Sequence, residues 1–290
     1  MKIHITMIYP PQYKWARTFE DVIAALGYGL QGLGHEVTFR ENDIHKGMPN
    51  IILGAHLADL RPFLKFPDTP IIVYNWEQLE KTIDSWHPSY REVLSQVTYV
   101  WDYSSANVLW MRKHLGIEAV QVPLGYVPEL ERVRHVSSDV DVLFLGVVNP
   151  RRQRVLDELR RRGLSVTVLD SHWGLSRDLW MGRTKVVINI HQFSENDELE
   201  ILRVGYCLMN RVPVVSERSE LIDGALEGYK NSIIWASYDS LVDQCVAAVQ
   251  DPDWRNAIVS KGYAWFREHP EEQYLAKPLS LLGAKLPTPS

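Results

Sequence analysis

Two apolar runs joined by a polar loop and one helical pattern, all within residues 185–217, constrain the fold of this chain more than any other feature. Val186-Val187-Ile188-Asn189-Ile190 is apolar nearly throughout, the pattern of a parallel strand buried on both faces. Leu199, Leu202, Tyr206 and Met209 then recur at helical spacing, while Glu198 and Arg203 fall off that stripe. A helix over residues 197–209 with one face packed on a sheet is expected. The second run, residues 212–215, supplies the next strand and ends in Ser216-Glu217. His191 with its following loop, and Ser216-Glu217, therefore fall at the carboxyl edge of a sheet, where α/β proteins bind ligands.

The same alternation runs along the whole chain. Strands are expected at 3–9, 37–39, 50–53, 70–74, 97–101 and 120–122, with helical patterns at 18–33, 57–64, 86–94 and 105–115, the last closed by Gly116. Residues 123–138 carry two prolines, a glycine and charges without apolar period, as a domain boundary does. A second series follows, with strands at 142–147, 165–169, 186–190, 212–215 and 233–235. Its helices are expected at 151–162, 176–180, 197–209, 219–226, 240–250 and 254–268. Strands and helices in alternation predict an α/β chain of two Rossmann-like halves. The expected domains are 1–125 and 138–269, with the tail 270–290 packing back on the first.

With 46% apolar residues over 290, the chain can bury a sizeable core, and only its last few residues are expected to be disordered. It has no run of eighteen apolar residues, and Met1-Lys2-Ile3-His4-Ile5 already reads as strand. Neither a signal peptide nor a membrane span is expected, and a cytoplasmic protein is. Cys207 and Cys245 have no metal or redox spacing and read as buried thiols. The net charge of -5 gives no general attraction to nucleic acid.

Chemistry concentrates at strand ends. The strand 142–147, which includes Gly146, runs into Asn149, a good helix N-cap, and Pro150, favoured at the first helical position. The N-terminus of the next helix is thus an anion site, with Arg151 and Arg152 in its first turn. Two readings stand: these arginines pair with a phosphate, or they belong to the solvated face that includes Arg154, Arg160, Arg161 and Arg162. His191, Gln192 and Glu198 form a second cluster, in which Glu198 either meets a ligand or only complements a helix dipole. Ser216 and Glu217 approach the same edge, as ligand groups or as a helix cap. In the first half, Tyr74-Asn75-Trp76-Glu77-Gln78-Leu79 and Trp101-Asp102-Tyr103-Ser104 follow strands and set aromatic rings beside carboxylates and amides. Sugar recognition uses that mixture, because ring faces stack while hydroxyls need polar partners. Core packing is the competing reading, chiefly for Trp101, with Asp102 as a helix cap. The Tyr9-Pro10-Pro11 loop follows the first strand in the same way, and the resemblance described next implies a place for it on the acceptor side.

Residues 185–217 resemble the nucleotide-sugar half of GT-B glycosyltransferases of the "glycosyl transferases group 1" (GT4-like) type, whose hallmark is strand, His loop, E-x7-E helix, small turn and P-V-V. Glu198 matches the first Glu, Pro213-Val214-Val215 the closing strand, and Arg203 an arginine frequent in the subgroup; Tyr206 stands in place of the second Glu, which binds the donor ribose. Asn210-Arg211 replaces the small turn, and the strings YN-x-EQL and VWDYS of the first half look like pieces of related glycosyltransferases. The resemblance implies a GT-B fold with an interdomain cleft, donor bound by the second domain and acceptor by the first. It implies catalytic candidates Glu198, Glu77 and Asp102, and donor contacts from Gly146, Arg151, Arg152, His191, Gln192, Tyr206, Ser216 and Glu217. The donor would be a nucleotide-sugar, UDP- or GDP-linked, used as substrate without a cofactor or divalent metal, and anomeric configuration would be retained. The acceptor would be a glycan or small molecule. A degenerate binding or scaffold protein, motivated by Tyr206, and a phage-type nucleic-acid base glycosyltransferase, opposed by the net charge, remain as alternatives.

Other apparent motifs are discounted. Asp139-Val140-Asp141 precedes its strand and Asp251-Pro252-Asp253 caps a helix, so neither D-x-D is placed to hold a metal-nucleotide. Gly27-Tyr28-Gly29 lies within a helix, where a phosphate loop cannot be.

Overall fold

The computed structural model describes residues 1–194, 198–220 and 224–285. The chain divides into two compact units, Met1–Gly125 with Pro270–Ser290, and Tyr126–His269. Among the described residues no helix is long and apolar enough to cross a membrane.

Unit 1 is built on a parallel sheet of β1 (Lys2–Met7), β2 (Glu36–Glu41), β3 (Asn50–Leu53), β4 (Ile71–Asn75), β5 (Tyr99–Asp102) and β6 (Val120–Gln121), in the order β2-β1-β3-β4-β5-β6. Every residue of β3 and β4 is buried, which is why both are apolar runs without alternation. Helix α1 (Glu20–Gly32) buries Val22, Ala25, Leu26 and Leu30. The short α2 (Leu79–Thr82) precedes α3 (Tyr90–Gln96) and α4 (Ser105–Leu115), and Gly116, with φ +67, ends the last of these. The helical pattern expected at 57–64 is instead two short 3-10 turns, Ala55–Leu57 and Phe63–Lys65. The one expected at 86–94 begins later, at Tyr90, because Pro88 restrains the residue before it from helical backbone. The helix Glu271–Lys285 rejoins this unit against α1. Its close approach uses absent side chains: a Cβ on Gly29 would lie 2.6 Å from Glu271 Cγ, and one on Gly125 only 2.5 Å from Glu271 Cα.

Unit 2 carries a parallel sheet of β7 (Val140–Leu145), β8 (Val166–Leu169), β9 (Thr184–Asn189), β10 (Val214–Glu217) and β11 (Ile234–Ala236), ordered β11-β10-β9-β7-β8. The connecting helices are α5 (Pro150–Arg161), α6 (Gly174–Met181), α7 (Ile201–Met209), α8 (Leu241–Gln250) and α9 (Pro252–Arg267). Val142, Phe144, Val186, Ile188 and Val215 of the strands meet Val155, Leu156, Leu159 and Leu241 of the helices in one core. Cys207 and Cys245 are buried free thiols, and burial pushes both above their ordinary range. Residues 126–139 are fastened to this unit, since the backbone N–H groups of Arg132 and Val133 both donate to Asn210 Oδ1, at 2.8 and 2.9 Å.

Helix α7 begins at Ile201, so Glu198 precedes it instead of lying in its first turn. The expected start at Asp197 lies outside the described residues. So do residues 221–223 of the helix expected at 219–226, whose described part includes the 3-10 segment Gly224–Asn231. The disorder expected at the chain end falls on 286–290, also outside the described residues.

Candidate functional site

At the carboxyl edge of the unit 2 sheet, the end of β9 organises a polar network. Asn189 is fully buried; its Nδ2 donates to Glu200 Oε2 at 2.7 Å and to Ser216 Oγ at 3.0 Å, while its Oδ1 accepts from Arg203 Nη1. Two residues on, the buried His191 ring donates from Nδ1 to Glu200 at 3.1 Å, and its Nε2 faces the carbonyl oxygen of Arg218 at 3.2 Å. An acceptor at each ring nitrogen suits the imidazolium. Burial opposes that charge, but the bond and the charge of Glu200 outweigh it and raise the histidine above its ordinary pKa. Burial likewise pushes the Glu200 carboxyl up, and the His191 bond, the His191 charge and Arg203 overcome it, holding the group at about 2.

The N-terminus of α5 closes the network from the other side. Asn149 accepts the N–H of Arg152 at 2.9 Å as a cap and donates to the Gln192 carbonyl at 2.8 Å, tying the loop after β9 to this helix. Arg151 grips Glu217 with both terminal nitrogens, donates to the His191 carbonyl at 3.1 Å, and lies 4.0 Å over the Tyr238 ring. Glu217 Oε2 also accepts the His191 N–H, at 3.0 Å. Gly146, just past β7, has φ +134, and a Cβ there would sit 3.1 Å from Arg203 Nη2. A glycine is needed at that φ, which side-chain-bearing residues rarely adopt.

The structure thus gathers Gly146, Arg151, Arg152, His191, Ser216 and Glu217 at one edge, but several roles change. Arg152 is 4% exposed; its Nε donates to the Ile190 carbonyl at 3.0 Å and its Nη1 to that of Val147 at 2.8 Å. Burial and then Arg203 lower it to about 10, so it stays a cation, but one that braces the loops instead of reaching a ligand. Ser216 is fully buried between Asn189 and the Glu217 carbonyl and belongs to the scaffold. Gln192 is exposed and enters the network through its carbonyl. Glu200, which the sequence pattern did not single out, joins Glu217 as a carboxylate of the network. Glu200 lies three residues before Arg203, off the apolar stripe like it, and that pairing is the signal that could have found it.

Tyr206 is a correction. It is 2% exposed, with the Arg177 guanidinium 3.7 Å over its ring; its hydroxyl donates to Asp178 Oδ1 at 3.0 Å and accepts from Arg132 Nη2 at 3.1 Å. A donor contact from this residue is therefore contradicted, and the packing reading stands. Tyr206→Phe is expected to lower stability by about 1–2 kcal/mol, because Asp178 and Arg132 each lose a buried partner. Nucleotide affinity should not change, and a weakened nucleotide titration alongside unaltered urea unfolding would reverse this assignment.

Asp102 of unit 1 is also corrected. It is fully buried and accepts from Asn75 Nδ2 at 2.7 Å, Ser104 N at 2.8 Å and Asn107 Nδ2 at 3.0 Å. This carboxylate holds the ends of β4 and β5 to α4 and cannot meet substrate. Trp101 is buried in the core, whereas Trp76 is half-buried and stacks on Tyr103 with centroids 5.1 Å apart. Glu77 keeps a quarter of its side chain exposed. Among the described residues no group of His, Cys, Asp and Glu is arranged to hold a metal ion.

No family model matches the chain. It is 29% identical over 178 residues to the uncharacterized protein L140 of Acanthamoeba polyphaga mimivirus, covering 59% of this chain and 57% of that protein. Protein L137 of the same virus is 27% identical over 216 residues, 72% of this chain and 28% of the relative. The chain thus spans little more than half of the first relative and under a third of the second. Among solved structures, AviGT4, a glycosyltransferase involved in avilamycin A biosynthesis, aligns with TM-score 0.61 at 15% identity over 99% of this chain and 98% of its own. Anabaena HepE in complex with UDP-glucose aligns with TM-score 0.61 at 12% identity over 97% and 100%. A glycosyltransferase from Rickettsia africae gives 0.58 at 8% identity over 97% of each chain. The chain has the GT-B fold. Its two parallel sheets, each flanked by helices, are the Rossmann-like domains of that fold.

Proposed function

We propose that the protein is a glycosyltransferase that moves a sugar from a nucleotide-sugar, UDP- or GDP-linked, to a glycan or small-molecule acceptor without a divalent metal. The observation that carries this reading is the carboxyl edge of unit 2, where the glycine backbone at Gly146, the N-terminus of α5 and the guanidinium of Arg203 converge. Helix N–H groups and a forked cation are suited to a diphosphate, and they would stabilise its charge as the anomeric bond breaks. Arg151, now clamped by Glu217, is a second cation for that group. The likeness in fold to a protein solved with UDP-glucose supports the donor class. Retention, implied by the family role of Glu198, belongs to the same proposal, as does a cytoplasmic setting. The net charge of -5 argues against a nucleic-acid acceptor.

Thermal unfolding of the whole chain with UDP-, GDP-, dTDP- and CMP-sugars tests the donor. A true donor at one hundred times its dissociation constant is expected to add about 2.7 kcal/mol. Failure of every nucleotide and nucleotide-sugar to raise the melting temperature would sink the reading. A binding protein without turnover is the second reading, favoured by Tyr206, since the carboxylate that would take the ribose is replaced by a core residue. Stabilisation by UDP with no release of UDP from UDP-sugars would select it.

A further inference from the structure

The unit 1 sheet ends on an open edge. β2 is its terminal strand, paired to β1 on one side, and each of its six residues except the half-buried Val37 is exposed. Among the described residues the other edge strands are shorter: two residues in β6, four in β8 and three in β11. Edges are usually blunted by proline, lysine, a bulge or shortness, because free N–H and C=O groups recruit another strand. β2 has no proline or lysine, keeps an unbroken register with β1 from Lys2↔Glu36 to Met7↔Glu41, and presents Phe39 at 45% exposure.

The bonds to β1 decide which groups face the open side. The N–H of Glu36 donates to the Met1 carbonyl and that of Asn42 to the Met7 carbonyl, each at 3.0 Å, so the even-numbered residues turn their backbone toward β1. Val37, Phe39 and Glu41 therefore turn their N–H and C=O groups outward. An incoming antiparallel strand must match outward residue to outward residue. A second copy of β2 does so when the pairing is centred on Thr38. Val37 and Phe39 of one copy then form hydrogen-bonded pairs with Phe39 and Val37 of the other. Between them, Thr38 faces Thr38 and Glu36 faces Arg40 in non-hydrogen-bonded pairs, whose Cα atoms approach to about 4.5 Å. Both ends thus set a carboxylate against a guanidinium, and the middle sets an aromatic against a β-branched residue, combinations that stabilise cross-strand contacts. Centring on Val37 or on Phe39 loses both charge pairs. Within one copy Glu36 pairs with Lys2 at 3.0 Å and Arg40 with Asp43 at 3.2 Å, all four side chains being more than half exposed. Such pairs contribute little, so both residues are able to turn across the edge. Thr38 Oγ1 lies 2.7 Å from His4 Nδ1, which fixes the side chain at the centre.

We propose that β2 is a self-association edge: two copies of this chain pair their β2 strands antiparallel about a two-fold axis at Thr38, joining two six-stranded sheets into one. The same patch serves on both copies, as a two-fold dimer requires. A single strand pair buries less than a standard interface, so a dissociation constant on the order of micromolar or weaker is expected. The pairing does not depend on the glycosyltransferase reading.

Sedimentation velocity of the full chain between about 1 and 100 μM should show the mass rising toward that of a dimer. Glu36→Arg and Arg40→Glu each set like charges face to face at both ends, so each should raise the dissociation constant by about tenfold or more. Mixed in equal amounts, these two variants should associate with each other, because every facing pair is again of opposite sign. The double variant Glu36→Arg/Arg40→Glu should self-associate as the parent does. Both positions are exposed, so the fold should survive, and circular dichroism checks it. Thr38→Cys reads the register: the axis brings the two thiols together, and mild oxidation should give a reducible cross-linked dimer, whereas Arg40→Cys should give none. Cys207 and Cys245 are buried and do not compete. A monomer throughout the concentration range, single variants that associate like the parent, mixed variants that stay apart, or cross-linking through position 40 in preference to position 38 each overturns the proposal. Should the cysteine variants fail to fold, the charge swaps still decide.

Discussion

Glu200→Ala is expected to lower the stability of unit 2 by about 3–5 kcal/mol, the usual cost of removing one partner from a buried ion pair. The carboxylate is the common acceptor for His191 and Asn189, and Arg152 Nη2 lies 4.0 Å away. Without it, three buried donors lose an acceptor or a countercharge at once. Glu200→Gln keeps the acceptor toward Asn189 but not the charge, so it should fall between. Urea unfolding near pH 6 measures the loss, and if the units unfold separately, only one transition should move. The pH dependence has a definite sign. Glu200 is held at about 2, so its contribution is present above the ordinary 4.5 and is lost as pH falls toward 2. His191 is raised, so its contribution is complete below about 6.5 and is lost as pH rises through its folded value. The parent should therefore exceed Glu200→Ala most between about 4.5 and 6.5. A difference that does not depend on pH, or one below about 1 kcal/mol, would show that the network is not held by charge.

The buried strands were legible because a parallel strand enclosed on both faces must be apolar, as residues 186–190 are. The edge to which they deliver His191 and Glu217 followed directly. What spacing could not resolve was that Glu200 enters the site. Glu198 and Glu200 both precede an apolar stripe, and the helix start that separates them at Ile201 depends on tertiary bonds to Asn189 and His191. Arg152 misled for a related reason: a first-turn arginine looks solvated or anion-bound in one dimension, whereas here backbone carbonyls of two loops surround it. Asp102 is a catalytic candidate only through the resemblance, and its partners Asn75 and Asn107, which absorb it, come from other segments that its own neighbourhood in the sequence does not show. Arg203 was visible as an off-stripe charge, but its reach across Gly146 needed coordinates.

That reach supplies the second large effect. Arg203→Ala is expected to weaken UDP binding by about 1.5–3 kcal/mol, the range for hydrogen bonds to a charged group, or roughly ten- to a hundredfold. The fold should survive, because the side chain is only half-buried and Asn189 retains Glu200 and Ser216 as partners. Arg203→Lys should recover only part of the affinity, since an ammonium lacks the fork that can hold Asn189 and a phosphate together. Gly146→Ala tests the same contact from the backbone. It places a side chain at φ +134 and brings a methyl group within 3.1 Å of Arg203 Nη2, so the guanidinium must move from its place beside the strand end. Strained backbone of this kind costs about 1–3 kcal/mol. If Arg203 holds the diphosphate, Gly146→Ala combined with Arg203→Ala should lose less UDP affinity than the sum of the single losses, because the first change acts partly through the second residue. Calorimetric titration of UDP into the four proteins gives the coupling. Strict additivity, or an Arg203→Ala affinity within about twofold of the parent, would remove Arg203 from the nucleotide and return the phosphate to Arg151 and the N–H groups of α5.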